Sequence, residues 1–205
     1  MSINDWIAQT TRDVRASSIS GKPGIAAVAR RTYDAGIEEV WDAITTPERI
    51  QRWFLPLSGD LQQGGKFQLE GHAGGQILEC DRPRKLHLEW RFEDHPYQEV
   101  VVTLTPDGDD KTKLELEHTG PGEGGDGIGH VLAVGVGWDP ALVSFGKFVI
   151  GEEMDKQFWF ESPEALEFTK LSVKAWAAAL DESKVAPSDQ IAKAAEETLK
   201  FYTPE

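Results

Sequence analysis

Between Lys66 and Thr119 apolar and polar residues alternate in short segments. Phe67 and Leu69 share one side of Lys66–Gly71, and Leu78 and Cys80 one side of Gln76–Cys80. In Lys85–Phe92, Leu86, Leu88, Trp90 and Phe92 oppose His87, Glu89 and Arg91; Val100–Thr105 follows, and in Lys113–Thr119 Leu114, Leu116 and His118 oppose Glu115 and Glu117. A period of two predicts strands, each with one apolar side. Gly74-Gly75, Arg82-Pro83, His95-Pro96 and Pro106-Asp107-Gly108 supply the turns of an antiparallel meander. Downstream, Ile128–Ile150 is the longest mainly apolar run, and from Trp138 its large residues fall at Trp138, Leu142, Phe145 and Val149, the spacing of one helix face. Asp139 and Pro140 interrupt that run after about eleven uncharged residues, short of the ~20 a membrane span requires. The pattern predicts a helix laid on the apolar face of an antiparallel sheet.

Upstream, residues 1–24 read as a short helix or loose arm ending in the turn Gly21-Lys22-Pro23-Gly24, and Ile25–Tyr33 as a strand. Asp34 is placed to cap a helix whose Ile37, Val40, Trp41 and Ile44 form one stripe. Thr46-Pro47 starts a second short helix, which delivers Trp53-Phe54-Leu55-Pro56. Beyond Gly151, Pro163 opens a helix with Leu166, Lys170, Val173, Trp176, Ala177 and Leu180 on one side, and Pro187-Ser188-Asp189 opens another ending at Phe201-Tyr202. The Trp176 stripe must pack on the core of the chain, on a second copy in a homodimer, or on a client, of which the core is the simplest.

A length of 205 residues allows a core without disulfides, and the single cysteine, Cys80, excludes a disulfide framework within the chain. The first residues lack the basic and apolar segments of a secretory signal, so a cytoplasmic location is expected. A formal charge of −14 repels phosphates, which argues against nucleic acid and anionic membrane surfaces as partners.

The stretch Arg31–Phe54, RTYDAGIEEVWDAITTPERIQRWF, resembles the opening of the SRPBCC (START/Bet v 1-like) superfamily, most specifically the branch similar to the C-terminal domain of the activator of Hsp90 ATPase. Gly64-Gly65-Lys66-Phe67, Asp81–Leu86 before a strand ending in Trp90, Leu114–Gly120 and Gly137-Trp138 keep the order of that branch. The resemblance covers about residues 25–150 and implies an α+β helix-grip fold: a bent antiparallel sheet gripping a long helix around a cavity that often holds an apolar or amphipathic molecule. It divides the chain into an N-terminal arm (1–24), the helix-grip domain (25–150) and a C-terminal helical extension (151–205) similar to that of some bacterial members. An Hsp90-type chaperone is the partner the family name implies. In the family that activity relies also on a separate N-terminal domain, for which residues 1–24 leave no room. Cyclase- and dehydratase-like members imply an enzyme reading instead.

Candidate chemistry is sparse. Gly122–Gly127 has the form GxGxxG, but the strands before it form a meander, the position 20 residues on is Lys147, and Glu123 and Asp126 would repel a pyrophosphate. A glycine-rich flap over the cavity mouth fits the composition better. His118 shares parity with Leu114 and Leu116. It either faces a ligand, as orienting group or proton acceptor, or is a core histidine bonded to a backbone carbonyl. Cys80 points the same way as Leu78, as a small hydrophobe. His72, His87, His95, His118 and His130 are dispersed, with outward parity for His72 and His87, so neither a metal site nor a cofactor is expected. The aromatic residues are the richest signal. Trp53, Phe54, Phe67, Trp90, Trp138, Leu142 and Phe145, with His118, are the predicted ligand-cavity lining, and Trp41 is assigned to the outer side of the sheet or the helix junction.

Overall fold

The computed structural model describes residues 2–122, 125–152, 159 and 162–203. The chain begins with helix α1 (Ile3–Ala8), strands β1 (Thr11–Ile19) and β2 (Lys22–Tyr33), and helices α2 (Ile37–Thr45) and α3 (Pro47–Trp53). Strands β3 (Leu57–Gly59), β4 (Lys66–Leu69), β5 (Gly74–Asp81), β6 (Lys85–Trp90), β7 (Gln98–Pro106) and β8 (Thr112–Pro121) follow. Helices α4 (Gly125–Val149), α5 (Pro163–Ser183) and α6 (Ser188–Tyr202) complete it. One sheet takes the order β1-β2-β8-β7-β6-β5-β4-β3, antiparallel throughout. The α2–α3 pair carries the chain from β2 to the far edge at β3, and the meander returns until β8 pairs with β2. On the inner face of β2 the side chains are small, Ala27 and Ala29 among them, which lets α4 lie close. Tyr33 closes that contact: its hydroxyl donates to the Leu142 carbonyl at 3.1 Å and its ring meets Phe145 edge-on at 4.6 Å. This is the helix-grip arrangement expected.

Two strands depart from the expected arm and meander. β1 forms a hairpin with β2 across Ser20 and Gly21, both at positive φ (50° and 73°), the conformation that matches the twist of a two-residue turn. Its sequence, TRDVRASSI, buries only Val14 and Ile19 fully. Main-chain pairing and charges hold it instead: Arg15 reaches Glu115 at 3.1 Å and Glu117 at 3.3 Å. An edge strand of this kind carries no period-two signal. The three-residue β3 at the other edge is too short to show one. Asp34 does not cap α2, whose N-cap is Gly36; it pairs with Lys111 at 2.7 Å. Pro47 does open α3, but the Thr46 hydroxyl donates to Asp42 at 2.8 Å rather than capping.

The largest correction concerns α4. It does not begin at Gly137-Trp138, and it is not broken by Asp139-Pro140; it runs as one helix of 25 residues through Pro140. The stretch Gly127–Val149 is long and apolar enough to cross a membrane, and in this fold the sheet and α5 cover most of it. An internal proline costs a helix about 3 kcal/mol when nothing compensates. The residue before it, Asp139, is held from two sides. Asp139 Oδ2 accepts from Arg12 of β1 (2.9 Å), from the Ser172 hydroxyl (2.5 Å) and from the Trp176 indole (3.2 Å), the last two on α5. Arg12 is itself fully engaged, donating also to the carbonyls of Ile7 (3.1 Å) and Thr10 (2.8 Å). Burial pushes the Asp139 carboxyl above its ordinary value, against the pull of Arg12 and the two neutral donors.

The same contact turns α5. Ser162 caps it, accepting from the Ala165 N–H at 3.1 Å, with Pro163 in the first turn as expected. Its buried face is Ala165, Phe168, Ser172, Val173, Trp176, Ala179 and Leu180, whereas Leu166 is 42% exposed and Lys170 faces solvent. Trp176 lies flat on Gly135 of α4, where a Cβ would stand 2.4 Å from the indole. The extension therefore packs on the chain's own core.

Removing the Asp139 charge strands a buried guanidinium. Asp139→Asn is expected to lower stability by about 3–5 kcal/mol in urea unfolding, and a loss under 1 kcal/mol would show that the pair is dispensable. Glycines of α4 give a paired test. Gly129 has open space at its Cβ position, so Gly129→Ala should raise stability by about 0.5–1 kcal/mol through helix propensity. Gly135→Ala should lower it by about 1–3 kcal/mol because the indole cannot yield, and equal effects at the two sites would refute the packing argument.

Candidate functional site

The bent sheet and α4 do not close on each other completely. Trp53 and Phe54 at the end of α3, Phe67 on β4, Trp90 on β6, and Trp138, Leu142 and Phe145 on α4 all line one cavity of about 360 Å³. Its sheet wall is aliphatic, with Val100, Leu114 and Leu116 behind these rings. The rings are held. The Trp53 indole donates to the Ala43 carbonyl at 3.0 Å, Phe54 stacks between Trp53 and Trp138 at 5.6 Å from each, and Trp53 meets Phe145 at 4.7 Å. Trp41, expected on the outer side of the sheet or at the helix junction, reaches this cavity as well, because the α2 stripe of Val40, Trp41 and Ile44 turns inward. Cys80 lines it together with Ile77 rather than with Leu78 as expected, because an irregularity between Ile77 and Glu79 breaks the alternation of β5. The polar edge is Thr45, whose hydroxyl donates to the Trp41 carbonyl at 2.7 Å, and Arg82, paired with Glu38 at 3.2 Å.

His118 does not line this inner chamber. It faces the concave side, as its parity predicts, but opens on a second chamber of about 900 Å³ that shares Phe54, Trp90 and Trp138 with the first. Those three rings are the partition between the two. An indole N–H can only donate, so the 3.0 Å contact from Trp138 Nε1 makes His118 Nδ1 an acceptor. The imidazole proton then sits on Nε2 and is donated to Gln98 Oε1 at 2.7 Å. The partners are side chains of β7 and α4, not the backbone carbonyl of the core-histidine alternative. Burial, with His130 and His72 nearby, holds His118 neutral well below the ordinary histidine range. Both ring nitrogens are engaged, which leaves none free for proton transfer in this arrangement.

The outer chamber gathers residues that sequence reasoning left apart. His130 on α4 packs edge-on to His118 at 5.2 Å and lies over Gly120, where a Cβ would meet its ring at 2.5 Å. Its Nε2 is buried without a hydrogen-bond partner, and burial pushes its pKa down to about 4. His130, Val134 and Trp138 follow one another at intervals of four on α4, a signal hidden when the helix is started at Trp138. His72 stands in the turn after β4 rather than pointing outward from a strand. It stacks on Phe92 at 4.7 Å and meets Trp90 edge-on at 5.9 Å. His87 is on the outer face as expected, bonded to Glu99 at 2.8 Å. Phe201 and Tyr202 of α6 complete the chamber. Among the described residues no group of three or more His, Cys, Asp or Glu side chains is placed to hold a metal ion.

The glycine-rich segment is less free than a flap. β8 continues to Pro121 opposite Gly24, Gly122 donates to the Pro23 carbonyl at 3.2 Å, and α4 starts at Gly125. Glu123 and Gly124 lie outside the described residues. With every strand pair antiparallel, no βαβ unit surrounds the GxGxxG pattern.

A family model described as activator of Hsp90 ATPase homolog 1-like protein matches residues 34–149. Among solved structures, the crystal structure of CalU16 from Micromonospora echinospora is 38% identical, with a TM-score of 0.72 over 84% of this chain and 98% of that one. Its solution NMR structure gives 36% identity and a TM-score of 0.74 over 85% and 97%. An HSP90 activator from Plasmodium falciparum is 25% identical, with a TM-score of 0.52 over 62% of this chain and 96% of that one. No curated protein sequence matches this chain.

Neutral buried imidazoles set a pH dependence. On unfolding, His130 moves from a pKa of about 4 to an ordinary 6.5, so between those values the unfolded chain binds the extra proton. Stability is then complete above about pH 6.5 and falls as pH drops toward 4, by up to about 1.4 kcal/mol per pH unit for each such histidine, His118 included. Asp139, with its raised carboxyl, acts in the opposite sense at the acidic end. Urea unfolding at pH 7 and pH 5 should show a clear loss at pH 5 that shrinks in His130→Asn. Equal stability of the unaltered protein at both values would contradict the buried neutral assignment.

Proposed function

The chain belongs to the activator of Hsp90 ATPase homolog 1-like family, within the SRPBCC superfamily, and on that footing we propose that it binds an apolar or amphipathic small molecule between its sheet and α4. The observation that carries this reading is the inner chamber: about 360 Å³ of unfilled space, walled by rings and branched aliphatic side chains and bounded by a hydrogen-bonded partition. Protein interiors rarely leave such space, since each lost contact weakens packing. Recognition would come from apolar contact, with the polar end of an amphipathic molecule directed toward the histidine-lined side. His118, with both nitrogens bonded, positions Trp138 and so shapes the chamber.

An Hsp90-type partner is the second reading, favoured by the similarity to the Plasmodium falciparum activator. Capture of a purified Hsp90 by the immobilised protein supports it, and absence of capture with folded bait removes it.

The small-molecule reading is tested by NMR titration with 1-decanol. Shifts should concentrate at Val100, Leu116 and Leu142. Ala141 faces the chamber, and Ala141→Phe, which fills it, should weaken binding about tenfold or more without lowering the melting temperature. Shifts scattered over the surface, or full affinity in a folded Ala141→Phe, would refute the reading.

A further inference from the structure

The outer chamber differs from the inner one in its histidines and its stacked rings. Its volume of about 900 Å³ is large enough for a fused ring system. One wall is a run of parallel rings: His72 stacks on Phe92 (4.7 Å, interplanar angle 20°), and Phe92 stacks on His95 (5.5 Å, 28°). Phe201 and Tyr202 line the chamber from α6. Tyr202 is anchored by its hydroxyl, which donates to the Ala133 carbonyl at 3.0 Å, whereas Phe201 is 77% exposed although it is large and apolar. The floor is rigid, being the Gln98–His118–Trp138 relay.

The imidazoles at this chamber offer acceptors, His72 and His95 at its exposed edge and His130 with a buried Nε2. The ring nitrogens of His72 have no hydrogen-bond partner among the described residues, and burial against its aromatic neighbours holds its pKa below the ordinary value. His130 Nε2 is likewise unpartnered. His95 Nδ1 donates to the Phe92 carbonyl at 2.9 Å, which turns its Nε2 into an acceptor in the neutral ring. Among the described residues no lysine or arginine lines the chamber, and its one formally charged lining residue is the acidic Glu93. An anion would meet a carboxylate and neutral imidazoles, within a chain of net charge −14. A saturated chain would leave the imidazoles unbonded and forgo the stacking that flat rings gain.

We propose that this outer chamber is a second binding site, for a planar, uncharged aromatic ring carrying a hydroxyl or amine donor. The site uses the His72–Phe92–His95 stack as one wall, Phe201 as the free stacking surface, and the imidazoles of His72 and His95 as acceptors. It shares the Phe54–Trp90–Trp138 partition with the inner chamber, so one molecule with an aromatic head and an apolar arm can occupy both. The site nevertheless stands on its own residues.

The test uses the intact protein at pH 7.5 with four probes of similar size, followed by NMR. 2-Naphthol is neutral, flat and a donor; 2-naphthoate is an anion; decahydro-2-naphthol is not flat; 2-methoxynaphthalene has no donor. 2-Naphthol should shift His72, Phe92 and Tyr202, and the other three should each bind about tenfold more weakly. Phe201→Ala, at an exposed position, should weaken 2-naphthol by a similar factor and leave 1-decanol affinity unchanged; Phe92→Ala should do the same where it folds. The proposal is overturned by 2-naphthoate, decahydro-2-naphthol or 2-methoxynaphthalene binding as tightly as 2-naphthol, by 2-naphthol shifts confined to Val100 and Leu116, or by full affinity in Phe201→Ala. Binding of 2-naphthol without 1-decanol would sustain the outer site and remove the inner-chamber reading; 1-decanol without 2-naphthol would do the reverse.

Discussion

The structure depends first on the carboxylate of Asp139. It sits in the middle of the longest helix, 1% exposed, and three donors from two other elements converge on one of its oxygens. A buried ion pair is weak evidence for net stability, because taking both charges out of water costs about as much as their attraction returns. Its effect lies in specificity. Only one rotation of α4 brings Asp139 to Arg12 on one side and to Ser172 and Trp176 on the other. That rotation also puts Gly135, one turn earlier, under the Trp176 ring. A residue at i+4 shares a face and a residue at i−1 does not. With Asp139 and Gly135 turned to α5, Trp138, Leu142 and Phe145 are turned to the sheet, where they line the cavity. The node therefore joins the N-terminal hairpin, the core helix and the C-terminal extension into one unit and aims the cavity residues at the same time.

A second constraint divides the space so created. Large rings on facing elements can fill a cavity or partition it, and here Phe54, Trp90 and Trp138 partition it. Trp138 could swing away were it held by packing alone. Its indole is tied to His118, and His118 to Gln98, so the orientation of the partition is set by two hydrogen bonds on the floor of the sheet. Removing any member leaves a buried polar group unpaired, which is why such relays fix one arrangement.

How far the sequence carried these conclusions depends on what held each element. Strands β4 to β8 bury one face, so period two located them to within a few residues, and the same alternation placed Phe67 and Trp90 on the cavity side; in β5 the irregularity at Ile77–Glu79 put Ile77, not Leu78, beside Cys80 there. The stripe of α2 was equally plain. β1 was missed because its position comes from main-chain pairing with β2 and from Arg–Glu contacts, neither of which leaves an apolar pattern. Asp139-Pro140 read as the interruption of an apolar run beside a helix start at Gly137-Trp138, because proline is at home in a first turn. That Asp139 is instead held in mid-helix by Arg12, 127 residues away, and by Ser172 and Trp176 leaves no local pattern. The face of α5 was misjudged for the same reason: Ser172 is buried for its hydrogen bond, while Leu166 is left in water.

The histidines show where pattern reading ends. His118 was placed on the correct face, but its partners stand 20 residues to either side, on elements whose proximity is a property of the folded sheet and helix. His72 and His130 carry no common motif, and they become neighbours of His118 only because the turn after β4 packs on Trp90 and Phe92 while α4 starts a full three turns before Trp138. The two chambers thus have different origins. Inner-chamber residues come from repeating elements, each of which announces its own apolar face. The outer chamber adds to the strands' Trp90, Gln98 and His118 residues from two connecting segments, from the first half of α4 and from the last residues of α6, so the C-terminal extension that Asp139 ties to the core also supplies part of that chamber's wall.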